Sequence, residues 1–188
     1  MSTKSISNPP GGALIWIVIY LELLTYGLAF VFLAISGSTD REAFHNDSLL
    51  LNKNIAVINT ILLLTGGYLA ARAVHYFQAK NTEKSAQFML YAIITGIGFL
   101  GLKAFEYYSK IDSGVGMNFS DFFIFYWFLT GFHYVHVLVG VVILFFSRRA
   151  IVKKKLEASQ EDIEAGVAFW HMCDIIWLFL FPILYLLF

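Results

Sequence analysis

A histidine and an aspartate three residues apart stand in the last apolar stretch of the chain. They are His171 and Asp174, within the segment Phe-Trp-His-Met-Cys-Asp-Ile-Ile-Trp at residues 169–177, and an apolar run follows to residue 188. Three-residue spacing places both side chains on one face of a helix. Ionisable groups in such a segment are costly and usually mark a polar contact inside a helix bundle. The motif therefore predicts a membrane protein whose buried face holds specific polar partners.

A carboxylate stands alone in the first apolar stretch. Glu22 lies among tyrosine and leucine residues, roughly 12 Å from the cytoplasmic end of the predicted helix at 1.5 Å rise per residue. An ionised side chain at that depth needs a partner or water, and is otherwise neutral. Two interpretations stay open: a neutral glutamate hydrogen-bonded to a neighbouring helix, and a role in proton handling or lipid binding.

Two histidines share one face of the fourth apolar stretch, near its middle. His133 and His136 belong to the segment Thr-Gly-Phe-His-Tyr-Val-His-Val-Leu-Val-Gly at residues 130–140, whose glycines let a neighbouring helix approach closely. His136 comes about 15 Å from the cytoplasmic end, close to the depth of Glu22. We therefore hypothesise a contact between Glu22 and His136.

Two further histidines, His75 and His171, lie near the cytoplasmic ends of the second and fifth stretches. We expect them at a matching, shallow depth, each as an interfacial hydrogen-bonding histidine. Axial haem ligation needs facing histidines at matching depth on different helices, so this pair keeps a b-type cytochrome anchor open as an alternative. His133 and His136 project from one face of one helix and cannot hold opposite faces of a haem.

The third stretch carries an acidic residue near its outer end. Glu106 has Lys103 and Lys110 three and four residues away, which favours a local ion pair. Two tryptophans flank the His171 motif. Trp170 fits an interfacial aromatic belt, and Trp177 is expected to pack more deeply with its N–H group satisfied.

Five apolar stretches must position these side chains, because a spanning helix needs about 20 mostly apolar residues. We place them at residues 14–35, 55–77, 86–108, 121–146 and 168–188. The composition, 59% apolar and 14% charged, is typical of polytopic membrane proteins, and zero net charge gives no basis for nucleic-acid binding. We expect an all-α bundle of five transmembrane helices in one domain, residues 14–188, after a polar tail at residues 1–13. The connector at residues 148–164 is expected to be a solvated helical hairpin.

The distribution of lysine and arginine predicts the orientation of the bundle. The N-terminus and the second and fourth connectors share one side, which carries nine basic residues: Lys4, Arg72, Lys80, Lys84, Arg148, Arg149, Lys153, Lys154 and Lys155. The other side carries four: Arg41, Lys53, Lys103 and Lys110. The excess favours a cytoplasmic N-terminus.

The segments described above resemble, in the same order, those of subunit III of the haem–copper oxidases. Residues 130–140 and 169–181 together resemble the paired signature of that family. Residues 17–30 look like its helix with an isolated glutamate, residues 59–75 like its next helix, which ends in a histidine, and residues 103–108 like its Glu-Tyr motif. The resemblance covers nearly all of residues 14–188. The ending Leu-Phe-Pro-Ile-Leu-Tyr-Leu-Leu at residues 180–187 looks most like the NorE-like group of short, five-helix members.

This resemblance implies a non-catalytic accessory subunit that binds no haem or metal itself, the haem and the copper or iron belonging to a partner catalytic subunit. Such a subunit holds phospholipid and supports assembly, proton uptake and sustained turnover. The short form lacks the first two helices of the long form, so the lipid-holding cleft is incomplete. The residues carried over by motif match are Glu22, His75, Glu106, His133, His136, His171 and Asp174.

We therefore expect a multi-pass subunit of the bacterial inner membrane, bound to a haem–copper oxidase or a nitric oxide reductase. The sequence decides neither between oxygen and nitric oxide as acceptor nor between cytochrome c and quinol as donor. We assign His133, His136, His171 and Asp174 to interhelical hydrogen bonds, worth on the order of 0.6–2 kcal/mol each in a membrane. A small transporter is the second alternative, although no inverted repeat or matched pair of broken helices is visible.

Overall fold

The computed structural model describes residues 12–153 and 160–188, and these residues form six helices without strands. The helices are α1 (Ala13–Thr39), α2 (Arg41–Ser48), α3 (Lys53–Gln78), α4 (Thr82–Asp112), α5 (Asp121–Val152) and α6 (Gln160–Tyr185). All except α2 are long and apolar enough to cross a membrane. The predicted all-α bundle of five membrane helices is thus confirmed.

The helices run past the apolar stretches that identified them. Helix α6 begins at Gln160, eight residues before the predicted start at residue 168, and α5 continues to Val152 instead of ending at residue 146. A helix satisfies its own backbone hydrogen bonds, so it needs no apolar side chains where it projects into water. The arms of the predicted hairpin are therefore extensions of α5 and α6.

Several sequence predictions concern residues outside the described part of the chain. These are the tip of the hairpin at residues 154–159, the tail at residues 1–13 except its last two positions, and the basic residues Lys4, Lys154 and Lys155.

The first connector contains a short helix that no apolar pattern in the sequence predicts. Helix α2 begins after Asp40, whose side chain accepts a hydrogen bond from the backbone N–H of Ala43 at 3.3 Å. This contact satisfies one of the N–H groups left free at a helix start. Phe44 is the buried anchor of α2, with its ring centroid 5.6 Å from that of Phe122 on α5.

Trp170 of α6 fills the centre of the bundle, where glycines of three other helices face it. A Cβ atom on Gly66 of α3, Gly96 of α4 or Gly140 of α5 would lie within 3.2 Å of this indole. The prediction that Trp170 belongs to an interfacial belt is wrong, because its side chain is fully buried. Of the two glycines predicted to let a helix approach closely, Gly140 does so, whereas Gly131 faces open space.

The other long helices pack around Trp170 and α6. Helix α3 packs along α4, α6 packs against both α3 and α5, and α1 lies against α5 and α6. Lys103 is fully buried inside the bundle instead of lying at its outer surface. Lys103 is therefore not counted among the basic residues exposed on its side of the membrane, and the numbers become nine on the N-terminal side and three on the other. The orientation itself stays a prediction.

Candidate functional site

Glu22 of α1 and His136 of α5 meet between their helices. Glu22 Oε1 lies 3.3 Å from His136 Nε2, and the side chains are 21% and 13% exposed. The hypothesis of a contact between these residues is therefore confirmed. Interhelical hydrogen bonds are expected for four residues: His133, His136, His171 and Asp174. Among the described residues, only His136 makes a polar contact of this kind with another helix.

The second ring nitrogen of His136 determines what the pair can do. Nδ1 lies 2.8 Å from the carbonyl oxygen of Phe132, which can only accept, so Nδ1 carries a hydrogen. A favourable contact between Nε2 and Glu22 Oε1 then requires a single proton between these two atoms. Either a neutral glutamate donates to a neutral imidazole, or a carboxylate accepts from an imidazolium. Both arrangements leave the pair with zero net charge.

Aromatic residues enclose this pair. The His136 ring stacks against Phe169 of α6, with centroids 6.2 Å apart, and has Phe132 at 4.5 Å. Tyr26, one turn along α1 from Glu22, is buried and packs against the same Phe132 ring at 5.8 Å. Since Glu22 Oε2 is buried and no described residue bonds to it, Oε1 alone carries the polar contact of this carboxyl group within the described part of the chain. The pair is thus a one-proton site in largely apolar surroundings.

His171 and Asp174 form a second pair, within α6. Nδ1 of His171 lies 3.1 Å from Oδ2 of Asp174, so the predicted interhelical bond is replaced by one along a single helix face. The pair rests on α3 at Gly67, where a Cβ atom would lie 2.1 Å from Asp174 Oδ2 and 3.3 Å from His171 Nδ1. Only a glycine leaves room for these side chains at that position.

His75 does not share the depth of His171. The His171 ring lies beside Gly67, and His75 is eight residues further along α3, about 12 Å along the helix axis. The predicted depth match is therefore wrong, because α6 begins earlier than its apolar stretch and carries His171 deeper. His75 is exposed near the end of α3 and makes a ring contact with Tyr76 at 5.7 Å between centroids. These positions do not suit axial ligation of one haem by the two histidines.

His133 is fully buried, and the interhelical hydrogen bond predicted for it is not found among the described residues. Neither ring nitrogen has a hydrogen-bond partner there. Aromatic rings occupy its surroundings, with Trp177 stacked at 5.3 Å and the edge of Phe99 at 5.7 Å between centroids. The N–H of Trp177 donates to Thr60 Oγ1 at 2.9 Å, as predicted.

A third polar cluster lies towards the end of the bundle that carries the α4–α5 connector. Lys103 and Glu106 are buried and form the predicted ion pair, with Nζ 3.0 Å from Oε2. Tyr126 of α5 and Tyr185 of α6 donate to Glu106 Oε1 at 3.0 and 2.8 Å. Lys103 Nζ also donates to the Tyr185 hydroxyl at 2.8 Å. The cluster joins α4, α5 and α6.

Lys110 does not join this ion pair. Its ammonium group donates to the backbone carbonyl of Leu50 instead, at the connector between α2 and α3. Sequence reasoning identified the spacing of Lys103 and Glu106 but missed both tyrosines, because their hydroxyls come from other helices. The described residues contain no group of three or more His, Cys, Asp or Glu side chains placed to hold a metal ion.

Comparison with known proteins gives a consistent result. The family model for cytochrome c oxidase subunit III matches residues 48–187. The chain is 33% identical over 132 residues to cytochrome c oxidase subunit 3 of Patiria pectinifera, covering 68% of this chain and 48% of that protein. It is 32% identical over 136 residues to the Spodoptera frugiperda protein of the same name, covering 70% of this chain and 88% of that protein.

A further relative reaches into α1. The heme-copper oxidase subunit I+III of Aeropyrum pernix is 28% identical over 179 residues, which is 91% of this chain and 22% of that protein. Leaving aside the Spodoptera and Aeropyrum proteins, the chain spans about half the length of the curated relatives it matches. The family model covers α3 to α6 completely, including the polar clusters of these helices. The chain belongs to the cytochrome c oxidase subunit III family.

Proposed function

We propose that this chain is a non-catalytic accessory subunit of a respiratory haem–copper complex. Its partner is the catalytic subunit, which holds the haem and the copper or iron. The observation that carries the proposal is the family match together with the Aeropyrum relative, whose name joins subunits I and III in one chain. A fused pair supports association between the corresponding separate chains.

The Glu22–His136 pair is the site through which we propose that the subunit supports proton uptake and sustained turnover. The pair has zero net charge whether the proton lies on Oε1 of Glu22 or on Nε2 of His136, so the proton can move between the two atoms without a change in the net charge of the site. It also fastens α1, which otherwise packs on the bundle through a narrow strip of buried residues: Ile19, Tyr26, Leu33 and Gly37. Both roles depend on the same contact.

Three finer features belong to the same proposal. The N-terminus is cytoplasmic, in agreement with the excess of basic residues on that side. The complex lies in a bacterial inner membrane, and the ending at residues 180–187 favours a NorE-like subunit associated with nitric oxide reduction. Phospholipid covers the aliphatic outward face of α1, which exposes Leu14, Ile17, Leu21, Leu24, Leu28 and Ile35.

Purification in mild detergent tests the association. We expect a tagged form of the full chain to retain a larger, haem-containing membrane polypeptide, whose haem types and acceptor identify the complex. A chain that purifies without such a polypeptide from membranes that contain haem–copper enzymes would overturn the proposal. A haem spectrum from the isolated chain itself would instead support a b-type cytochrome anchor.

A further inference from the structure

One outward face of the bundle differs from the others in polarity. We define the α3–α6 face by Tyr68 of α3 and by His171, Ile175 and Leu178 of α6. Tyr68 is 62% exposed, the side chain of His171 is 41% exposed, and Ile175 and Leu178 are 43% and 44% exposed. The outward faces of α1, α4 and α5 expose mainly aliphatic and aromatic side chains at their middle levels, and the exposed hydroxyl of Thr25 on α1 already donates to the carbonyl oxygen of Leu21. An imidazole is therefore accessible on the α3–α6 face.

The geometry of the His171–Asp174 pair fixes how this imidazole is presented. Asp174 is 6% exposed and accepts through Oδ2, so Nδ1 of His171 carries the ring hydrogen. Nε2, on the other side of the ring, is left as an acceptor in the neutral imidazole. It has no hydrogen-bond partner within residues 12–153 and 160–188. A carboxylate that orients an imidazole in this way holds the outer nitrogen ready for a ligand.

The depth of His171 makes contact with lipid alone unfavourable. It lies about 10 Å along α6 beyond Glu164, the last charged residue before the apolar part of the helix. Acyl chains offer no hydrogen-bond donor, and polar groups exposed to them at such depth are rare. A protein helix carrying a hydroxyl, amide or indole N–H group can supply the missing donor.

The seam between α3 and α6 is fastened above and below this level. Trp177 Nε1 donates to Thr60 Oγ1 at 2.9 Å towards one end, and Gln78 Nε2 donates to Glu164 Oε1 at 2.9 Å towards the other. Gly67 lets the pair rest directly on the α3 backbone. The α3–α6 face is thus pre-formed, which lowers the entropy lost when a partner binds.

We propose that the α3–α6 face docks a transmembrane helix of the partner subunit, and that this helix donates a hydrogen bond to His171 Nε2. The inference rests on the proposed function, because it names the surface through which the association occurs. A second copy of the chain and a lipid acyl chain are the competing occupants.

Site-specific photo-crosslinking in native membranes distinguishes these occupants. The full chain carries a benzophenone amino acid at Ile175, and the matched control carries it at Ile97 on α4, which is 56% exposed. We expect Ile175 to crosslink to the larger polypeptide and Ile97 to give no such product. Crosslinking from Ile97 alone, or from neither position while the complex still co-purifies, would overturn the docking surface and leave the proposed function intact. A product from Ile175 of twice the chain mass would favour a second copy and overturn it also.

Variants of His171 test the hydrogen bond itself. We expect His171→Leu to lower the crosslinking yield at Ile175 about threefold, the population change that one membrane hydrogen bond supports. His171→Gln keeps an acceptor and should restore most of the yield, provided that the variant chains reach the membrane in equal amounts. Equal yields for all three chains would contradict the role of Nε2. Failure of every probe together with failure of co-purification would instead count against the proposed function.

Discussion

Glu22 Oε1 on α1 lies 3.3 Å from His136 Nε2 on α5, and the geometry of the histidine leaves one proton for the two atoms to share. The contact connects the least embedded helix of the bundle to one that is well packed. In the proposed function the same contact attaches α1 and takes part in proton handling. The two roles can be separated by substitutions that keep or remove a polar group at position 22.

We predict that Glu22→Gln preserves assembly but shortens the lifetime of the complex during sustained turnover. The amide keeps a polar group beside His136 but cannot exchange a proton with it. Turnover recorded until the enzyme inactivates, with proton uptake measured in parallel, provides the test. Thr25→Val is a suitable control, because the Thr25 hydroxyl donates to the carbonyl of Leu21 in its own helix and to no other helix in the described part of the chain. Normal kinetics for Glu22→Gln over prolonged turnover would count against proton handling at this site.

We predict that Gly96→Ala destabilises the bundle whereas Gly101→Ala, in the same helix, does not. A Cβ atom on Gly96 would lie 2.6 Å from the Trp170 ring and 2.7 Å from Val141, while Gly101 faces open space. Overpacking of this kind costs about 1–3 kcal/mol. Thermal unfolding of both variants in the same detergent measures the difference, and equal stability would contradict the central position of Trp170.

We predict strong coupling between Lys103 and Glu106. Lys103→Met leaves a buried carboxylate and Glu106→Gln leaves a buried ammonium, so each change should cost about 3–5 kcal/mol. The double variant should cost clearly less than the sum of the two. A double-mutant cycle on the free energy of unfolding measures the coupling. Tyr107→Phe is the control, since the Tyr107 hydroxyl is buried and, among the described residues, bonds to neither Lys103 nor Glu106. Additive effects of the two substitutions would show that the ion pair contributes little.

We predict that the α3–α4 connector faces the cytoplasm and the α4–α5 connector faces the outside. Cysteines at Lys80 and Ser113 should therefore react with a membrane-impermeant thiol reagent from opposite sides of sealed vesicles. The native Cys173 is buried and should contribute little background. Labelling of Ser113→Cys from the cytoplasmic side would contradict the predicted orientation and support the opposite one.

The sequence predicts the helices and one key contact because the length of an apolar stretch and the position of a residue within it can both be read directly from the sequence. Apolar length identifies five spans, and depth alone pairs Glu22 with His136. Helix ends are poorly predicted, because charged turns continue α5 and α6 into water without any change in backbone hydrogen bonding. Because the predicted start of α6 comes too late, His171 is expected at a shallow level and at the same depth as His75, and neither expectation is correct.

The remaining errors arise from contacts that only tertiary structure reveals. Tryptophan is typical of the membrane interface, yet Trp170 is buried because glycines on three other helices leave space for its side chain. His133 carries two polar nitrogens, but the rings of Phe99 and Trp177 surround it. The partners of Glu106 include Tyr126 and Tyr185, whose hydroxyls come from distant parts of the chain.

The most direct test of the central claim compares the purified complex with and without this chain. A non-catalytic subunit that supports turnover predicts a nearly unchanged initial rate of substrate reduction and a shortened catalytic lifetime when the chain is absent. Restoring the wild-type chain should recover the lifetime. Loss of activity from the first turnover, with the haem and metal content of the partner intact, would contradict the claim, as would identical lifetimes in the two preparations.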